Sequence, residues 1–432
     1  MTAAEGQGKV VLRALGVASA VSIPISLIAL AFLALVTWLT DVIWTDIPDA
    51  AGFAPTSWWW VLLIPTLGGA LAGLAVRHLP GKGGHDPVNG FSASPVQPNA
   101  IPGVVLAALA SLAFGAVVGP EAPLVALGSA LGLWGARLFR QSGNVAALAG
   151  SAGVFAVISA LFGNPMLAAF LVLEAVGATA LAAPLTVVVL PGLLASGLGY
   201  LVFTGVGDWA GITPPSLALE GLSNYPALRL ADVLWAVVIG ISMGALGIVI
   251  RGIAKRTHAF AAPRPAVAAP LGGLVVGMLA LAFGLTGESP LTVLFSGQSE
   301  LPTIVGQAPG WGVAVVALLI VAKAIGYGVS LGAGFRGGPV FPALFLGAAV
   351  GILFSLLVPG LELTPAVVAG MAAGAAAMLS LPVSSVMLAI VFAGSQGLQA
   401  TTLAIIGSVV AVVITLAVSA RTPSKTQQAG AP

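Results

Sequence analysis

One carboxylate stands alone in the apolar stretch Val117-Val118-Gly119-Pro120-Glu121-Ala122-Pro123-Leu124. No other acid occurs between Asp86 and Glu174. An ionised carboxylate in a low-dielectric setting is costly, so an acid inside an apolar run reads first as a functional group. The same frame returns once, at Gly338-Pro339-Val340-Phe341-Pro342, with valine in place of the glutamate. Two copies of one turn, one of them titratable, suggest a shared site with a single removable charge.

The chemistry that suits such turns is anion binding. A helix N-terminus presents unpaired N–H groups and roughly +0.5 of a charge, and proline is at home in the first helical turn. Each turn places proline ahead of a helix-forming run. The expected donors are the amides of Glu121, Ala122, Val340 and Phe341, with Gly119 completing the first turn. Pro120 and Pro339 have no N–H to give. Such a site attracts an anion without a full positive charge, and conduction needs binding that is weak enough to release. The Glu121 carboxylate can occupy the anion's own position, and protonation would then free it. The same carboxylate can instead simply cap its own helix, and the local sequence leaves both roles open.

Other chemistry is thinly represented. There is no cysteine, which excludes disulfides, thiolate catalysis and thiolate metal sites. His78, His85 and His258 lie in basic segments and form no ligand cluster. The expectation is a non-enzyme without metal or cofactor. A net charge of +2 gives no reason to expect nucleic acid as a partner.

The elements that must position the turns follow from composition. Of 432 residues, 59% are hydrophobic and only 6% charged, against roughly 25% charged in a soluble domain. Mean hydropathy is +1.10. This is an all-α polytopic membrane protein whose spans need about 20 apolar residues each. With 57 Gly and 30 Pro, many helices should be short, broken or closely packed. The first apolar run, 17–38, reads as a retained span rather than a signal peptide. The polar tail after Arg421 suggests that no soluble domain follows.

Basic groups cluster at Lys9/Arg13, Arg77/Lys82, Arg137/Arg140, Arg251/Lys255/Arg256/Arg264 and Arg421/Lys425. Acids cluster at Asp41/Asp46/Asp49, Asp208/Glu220, Glu288/Glu300 and Glu362. The positive-inside rule puts the basic groups, and both termini, in the cytoplasm. Arg229, beside Asp232, is the exception. Trp58-Trp59-Trp60 suits an interfacial belt. Residues 14–38 cross outward and 57–76 return. Residues 87–140 enter and come back, breaking at Gly119–Pro123. Three segments follow, 144–162, 165–182 and 184–206. In the second half, 228–250 cross inward and 265–284 outward. Residues 311–358 enter and return around Gly338–Pro342, and 364–380, 382–397 and 400–420 complete the set. The halves, 1–222 and 223–432, thus share one order in opposite orientation. Pro123-x4-Gly128-x3-Gly132 matches Pro342-x4-Gly347-x3-Gly351. Inverted repeats place substrate sites near the midplane, where broken helices meet.

These residues resemble the CLC family of chloride channels and chloride/proton exchangers. The family's Gly-Arg-Glu-Gly-Pro is similar to Gly119–Pro123, and its Gly-Gly-Ile-Phe-Ala-Pro is similar to Gly337–Pro342. Lys323 matches a lysine in the family's preceding helix, and 164–174 resembles its Ala-Pro helix ending in glutamate. The resemblance implies a prokaryotic, multi-pass plasma-membrane homodimer with one anion pathway per subunit. It also implies that Glu121 corresponds to the family's gating glutamate. Three differences stand out. Gly84, in Gly83-Gly84-His85-Asp86-Pro87, stands where the family's anion-binding serine would fall. The inner tyrosine of its last helix has no counterpart. Ala175 follows Glu174 where exchangers often carry a second glutamate.

Among the remaining polar residues, Arg336 could draw anions to a vestibule or pair with an acid, and Lys323 could border the path. His85 and Asp86 could line it from the basic side, though a solvated loop is the plainer reading. Glu174 reads as a satisfied helix-end acid. Tyr327 could offer a hydroxyl or simply pack. Asp208, Glu220, Glu288 and Glu300 read as solvated outer-loop charges. The expected function is transport of small inorganic anions, chloride first, across the lipid bilayer. Strict chloride/proton antiport, fluoride export and transport of a small organic anion remain as alternatives.

Overall fold

The computed structural model describes residues 3–177, 185–210, 218–219, 221–225 and 227–420. Glu220, Arg421 and Lys425, and the side chain of Asp208, lie outside what it describes. Helix α1 (Ala3–Asp41) continues through a π turn into α2 (Ile47–Ala51). Then come α3 (Trp58–His78), α4 (Ile101–Leu112), α5 (Glu121–Leu138), α6 (Gly143–Phe162), α7 (Pro165–Gly177) and α8 (Leu185–Ala210). The second set is α9 (Leu230–Ala261), α10 (Pro265–Gly284), α11 (Leu301–Gln307), α12 (Val313–Ala333), α13 (Val340–Leu357), α14 (Leu363–Leu379), α15 (Pro382–Ala393) and α16 (Thr401–Ala420). Among the described residues, nine helical stretches are long and apolar enough to cross a membrane.

The expected segments are helical over most of their described length, while 178–182 of the segment 165–182 and residue 184 of the segment 184–206 lie outside the described residues; there are two instructive differences. Residues 87–100 form two short 3-10 turns, Pro87–Asn89 and Pro98–Ala100, before α4 begins. Pro87, Gly90, Pro95 and Pro98 fall too close together for a helix to propagate. At the other end, α9 runs past residue 250 to Ala261, so Arg251 and Lys255 are helical rather than part of a loop. Arg229, the apparent breach of the positive-inside pattern, is neutralised locally. It pairs with Asp232 at 2.9 Å and Glu362 at 3.2 Å, and the Tyr225 hydroxyl donates to Asp232 at 2.6 Å. Trp58 and Trp59 are exposed while Trp60 is buried against Phe53, a tilted aromatic group at a span end.

The glycines explain how the helices approach. In lipid there is little hydrophobic drive between helices, so small residues that allow backbone contact carry the packing. A Cβ added at Gly128 or Gly132 of α5 would strike the carbonyls of Gly153 or Ala149 on α6. A Cβ at Gly347 or Gly351 of α13 would strike those of Gly370 or Ala366 on α14. The repeated proline–glycine spacing is therefore one helix–helix interface built twice. The pair α3 and α10 meets in the same way, Gly69 and Gly73 facing the Ala269 and Pro265 carbonyls, Gly273 and Gly277 facing those of Pro65 and Val61. Gly347→Val should cost about 1–3 kcal/mol through forced separation of α13 and α14. A lowered melting temperature in detergent would report it; an unchanged one would mean that the close approach is dispensable.

Candidate functional site

Both broken elements end in the same construction. Helix α4 leads into a non-helical turn that ends at Pro120, and α5 starts at Glu121. Helix α12 leads into residues 334–339, and α13 starts at Val340. The turns are joined by a reciprocal backbone pair: Gly119 N–H donates to the Gly338 carbonyl at 2.8 Å, and Gly338 N–H to the Gly119 carbonyl at 2.6 Å. Each turn is also held by the opposite half. Val117 N–H donates to Ser330 Oγ of α12 at 3.1 Å, and Arg336 N–H donates to Ser111 Oγ of α4 at 2.9 Å. Glu121 and Val340 are 219 residues apart, and the same offset relates Gly119 to Gly338 and Ser111 to Ser330.

Glu121 is fully buried. Its carboxylate does not merely cap α5: Val340 N–H, the first amide of α13, donates to its Oε1. The amides of Phe341 and of Glu121 itself also act on it, while Oε2 has no hydrogen-bond partner among the described residues. Ala122 is the second residue of α5 and half-buried. The Phe341 ring stacks on Phe162 at 5.5 Å and meets Phe392 edge-on at 6.0 Å. A Cβ at Gly119 or Gly338 would collide with the Glu121 carboxylate and with nothing nearer. The carboxylate lies in a pocket made by two glycines and the facing helix start.

A cavity approaches this pocket from each end. One, of about 870 Å³, is lined by Asp41, Glu300, Gln298, Val118, Pro120 and Phe392 among others, on the acidic side. The other, of about 430 Å³, is lined by Asn89, Arg251, Lys255, Ser380 and Pro339 among others, on the basic side. The first reaches the proline ahead of Glu121, the second the proline ahead of Val340.

The other expected residues have structural positions of their own. Lys323 lines neither cavity. Its ammonium donates to the carbonyls of Thr292 at 2.9 Å and Leu294 at 2.7 Å and lies 4.4 Å from the Phe345 ring centre. It pins the loop ahead of α11 rather than lining either cavity. Lys323→Met leaves two buried carbonyls without a donor, at about 1–3 kcal/mol each, so a lower unfolding temperature is expected from thermal melts. An unshifted melt would mean that these bonds contribute nothing. Tyr327 is buried and donates to the Pro339 carbonyl at 2.7 Å, so it fixes the second turn. Arg336 pairs with Asp86 at 3.5 Å and donates to the Lys82 carbonyl at 3.0 Å. Asp86 also faces His258 at 3.6 Å and accepts from Val88 N–H at 3.3 Å. His85 bonds the Ser94 carbonyl at 3.0 Å. Burial pushes its imidazole below the ordinary value, and that bond opposes the shift.

This loop is therefore half-buried and ion-paired rather than solvated, and it contributes Pro87–Phe91 to the basic-side cavity in place of His85 and Asp86. Gly84 has φ +89° and lies against Val104 and Ala126, where a side chain would be strained. Glu174 accepts from Val383 N–H, Ser384 N–H and the Ser384 hydroxyl, at 3.0, 2.8 and 2.6 Å, so it closes the start of α15. Glu300 departs from the expectation of a solvated charge: Oε2 is enclosed without a hydrogen-bond partner among the described residues. Burial pushes its carboxyl up, and the Lys323 charge pulls it back. The crossing serines Ser111 and Ser330 and the basic-side residues Arg251 and Ser380 were not singled out from sequence. For the serines, the signal was their shared offset with the paired turns.

A family model described as "Voltage gated chloride channel" matches residues 84–416. The chain is 30% identical over 350 residues, 79% of each protein, to "Putative ion-transport protein YfeO" of Escherichia coli (strain K12 / DH10B) and of Escherichia fergusonii. In fold it is similar to a slow cyanobacterial Cl-/H+ antiporter, with TM-score 0.76 and 18% identity over 94% of this chain and 95% of that one. It is also similar to a CLC-type fluoride/proton antiporter, with TM-score 0.72 and 19% identity over 96% and 97%.

Proposed function

The chain belongs to the voltage gated chloride channel family, and we propose that it moves chloride across a membrane through the two cavities, with Glu121 as the gate between them. The observation that carries this reading is the Glu121 carboxylate on the first amide of the opposite half's helix. An anionic oxygen is held there by N–H groups, between cavities that open toward opposite ends. A free anion of similar size suits the same donors once the carboxylate is neutral or displaced. The two inverted halves, 1–222 and 223–432, supply one turn each. The basic end is assigned to the cytoplasm.

The gate is read as opening on protonation from the acidic-side cavity. Glu174, tied to α15 by three hydrogen bonds and followed by Ala175, is poorly placed to pass protons inward. The reading is therefore anion passage with a proton-sensitive gate rather than tight exchange. Exposed apolar side chains on α7, α8 and α16, among them Phe170, Leu190, Leu194, Ile405 and Val409, suit either lipid or a second subunit. The family resemblance favours a homodimer. Chloride efflux from proteoliposomes, with internal pH recorded, tests the whole reading. Chloride should leave without stoichiometric proton uptake. Uphill proton movement driven by a chloride gradient would establish exchange instead, and a fluoride rate far above chloride would reassign the anion.

A further inference from the structure

The basic-side cavity contains a charge that the gate does not use. Arg251 projects from α9 into it, and among the described residues no carboxylate comes within ion-pair distance of its guanidinium. One nitrogen, Nη2, is engaged: it donates to the Ala377 carbonyl and, at 3.2 Å, to Ser380 Oγ. Among the described residues no acceptor meets Nε or Nη1, neither is an enclosed, unsatisfied atom, and Arg251 lines the cavity. A half-buried guanidinium without a carboxylate partner favours an anion beside it.

Ser380 adds an independent observation. It ends α14 with φ +59°, a left-handed conformation that normally goes to glycine at a helix C-terminus. The first half ends α6 with Gly163 at φ +56°, ahead of its own Asn164-Pro165, as Ser380 stands ahead of Leu381-Pro382. The repeat thus has glycine at this position in one half and, in the other, a serine held in the left-handed region where its hydroxyl meets Arg251. Non-glycine residues held in this region collect at functional sites. Lys255, exposed one helical turn beyond Arg251, lines the same cavity.

We infer that Arg251 and Ser380, with Lys255 nearby, form an anion-receiving subsite on the basic side, taking the same small inorganic anion that passes the Glu121 turn. The subsite rests on the transport reading and deepens it. Its distance from the amide site, at the cavity wall rather than at the paired turns, keeps a full positive charge away from the point where release must be fast.

The test is sided. Uptake of labelled chloride is measured into inside-out and right-side-out membrane vesicles over a range of bath concentrations. Arg251→Gln should raise the half-saturating chloride at least about fivefold in inside-out vesicles, the order expected for losing one partly screened charge. It should leave right-side-out vesicles within about twofold, while Arg251→Lys recovers most of the loss. Unchanged half-saturation in both orientations overturns the subsite, and so does Arg251→Lys behaving like the glutamine variant, which would mark Arg251 as only a cap for α14. If Arg251→Gln fails to reach the membrane, Ser380→Ala and Lys255→Gln carry the same comparison, each with a smaller rise on the same side only; no rise in either overturns the subsite. Wild-type vesicles that take up no chloride would count against the transport reading itself, whereas normal wild-type uptake without the sided shift counts against the subsite alone.

Discussion

Glu121→Gln gives chloride flux that no longer responds to pH. In the wild type the ionised carboxylate occupies the Val340 amide, so flux rises as pH falls and the group protonates. Once the group is mostly ionised, a single titrating gate loses about tenfold in open fraction for each further pH unit. Glutamine has the same shape and no charge. Its side chain has an oxygen that can accept the same N–H, but a neutral amide competes with an anion far less well than a carboxylate. The expected profile is flat, at or above the wild-type level in acid, when efflux is followed with a chloride electrode from pH 4.5 to 8. The sign matters: a gate that opens on deprotonation would give the opposite slope in the wild type. A glutamine variant that keeps the wild-type slope would reduce Glu121 to a helix cap.

Gly338→Ala blocks the pathway at every pH. An added Cβ at this position meets Glu121 Cδ, Oε1 and Cγ before any other atom. The clash is with the end of a flexible side chain, and Gly338 lies outside the left-handed region, so the backbone accepts alanine and the fold survives. The methyl group, however, fills the space now held by the carboxylate. If that space is where the anion passes, flux falls at least about tenfold, a cost of roughly 1.4 kcal/mol or more at the narrowest point. Adding Glu121→Gln does not restore it, because the obstruction is steric. The two substitutions therefore separate a charge gate from the volume it occupies. Normal flux in Gly338→Ala would place the pathway elsewhere.

Much of this arrangement was legible in the residues, and for definite reasons. The apolar runs and the alternation of basic and acidic loops set the spans, because hydropathy and the positive-inside bias are one-dimensional signals. The paired turns stood out because proline and glycine constrain the backbone wherever they fall. Glu121 stood out because a carboxylate is costly in such surroundings. Contacts between the halves were hidden. Nothing local to Ser111 or Ser330 says that each holds the opposite turn. Lys323 attracted attention as a match to a lysine of the related family that could border the path, yet its stem carries the ammonium to the carbonyls of Thr292 and Leu294. Arg251 read as one member of a basic cluster until the continuation of α9 past residue 250 set it in the cavity wall. Glu300 read as a surface acid because the chain around it is a loop, and only the tertiary fold encloses one of its oxygens.

The central claim is that a carboxylate oxygen and a transported anion compete for the same helix-start amides. The most direct measurement is the anomalous signal of bromide in crystals of the wild type and of Glu121→Gln, both grown near pH 8. A bromide peak is expected at the Val340 and Phe341 amides in the glutamine variant and none at that position in the wild type. A peak there in both proteins, or no peak there in a variant that still conducts, would contradict it.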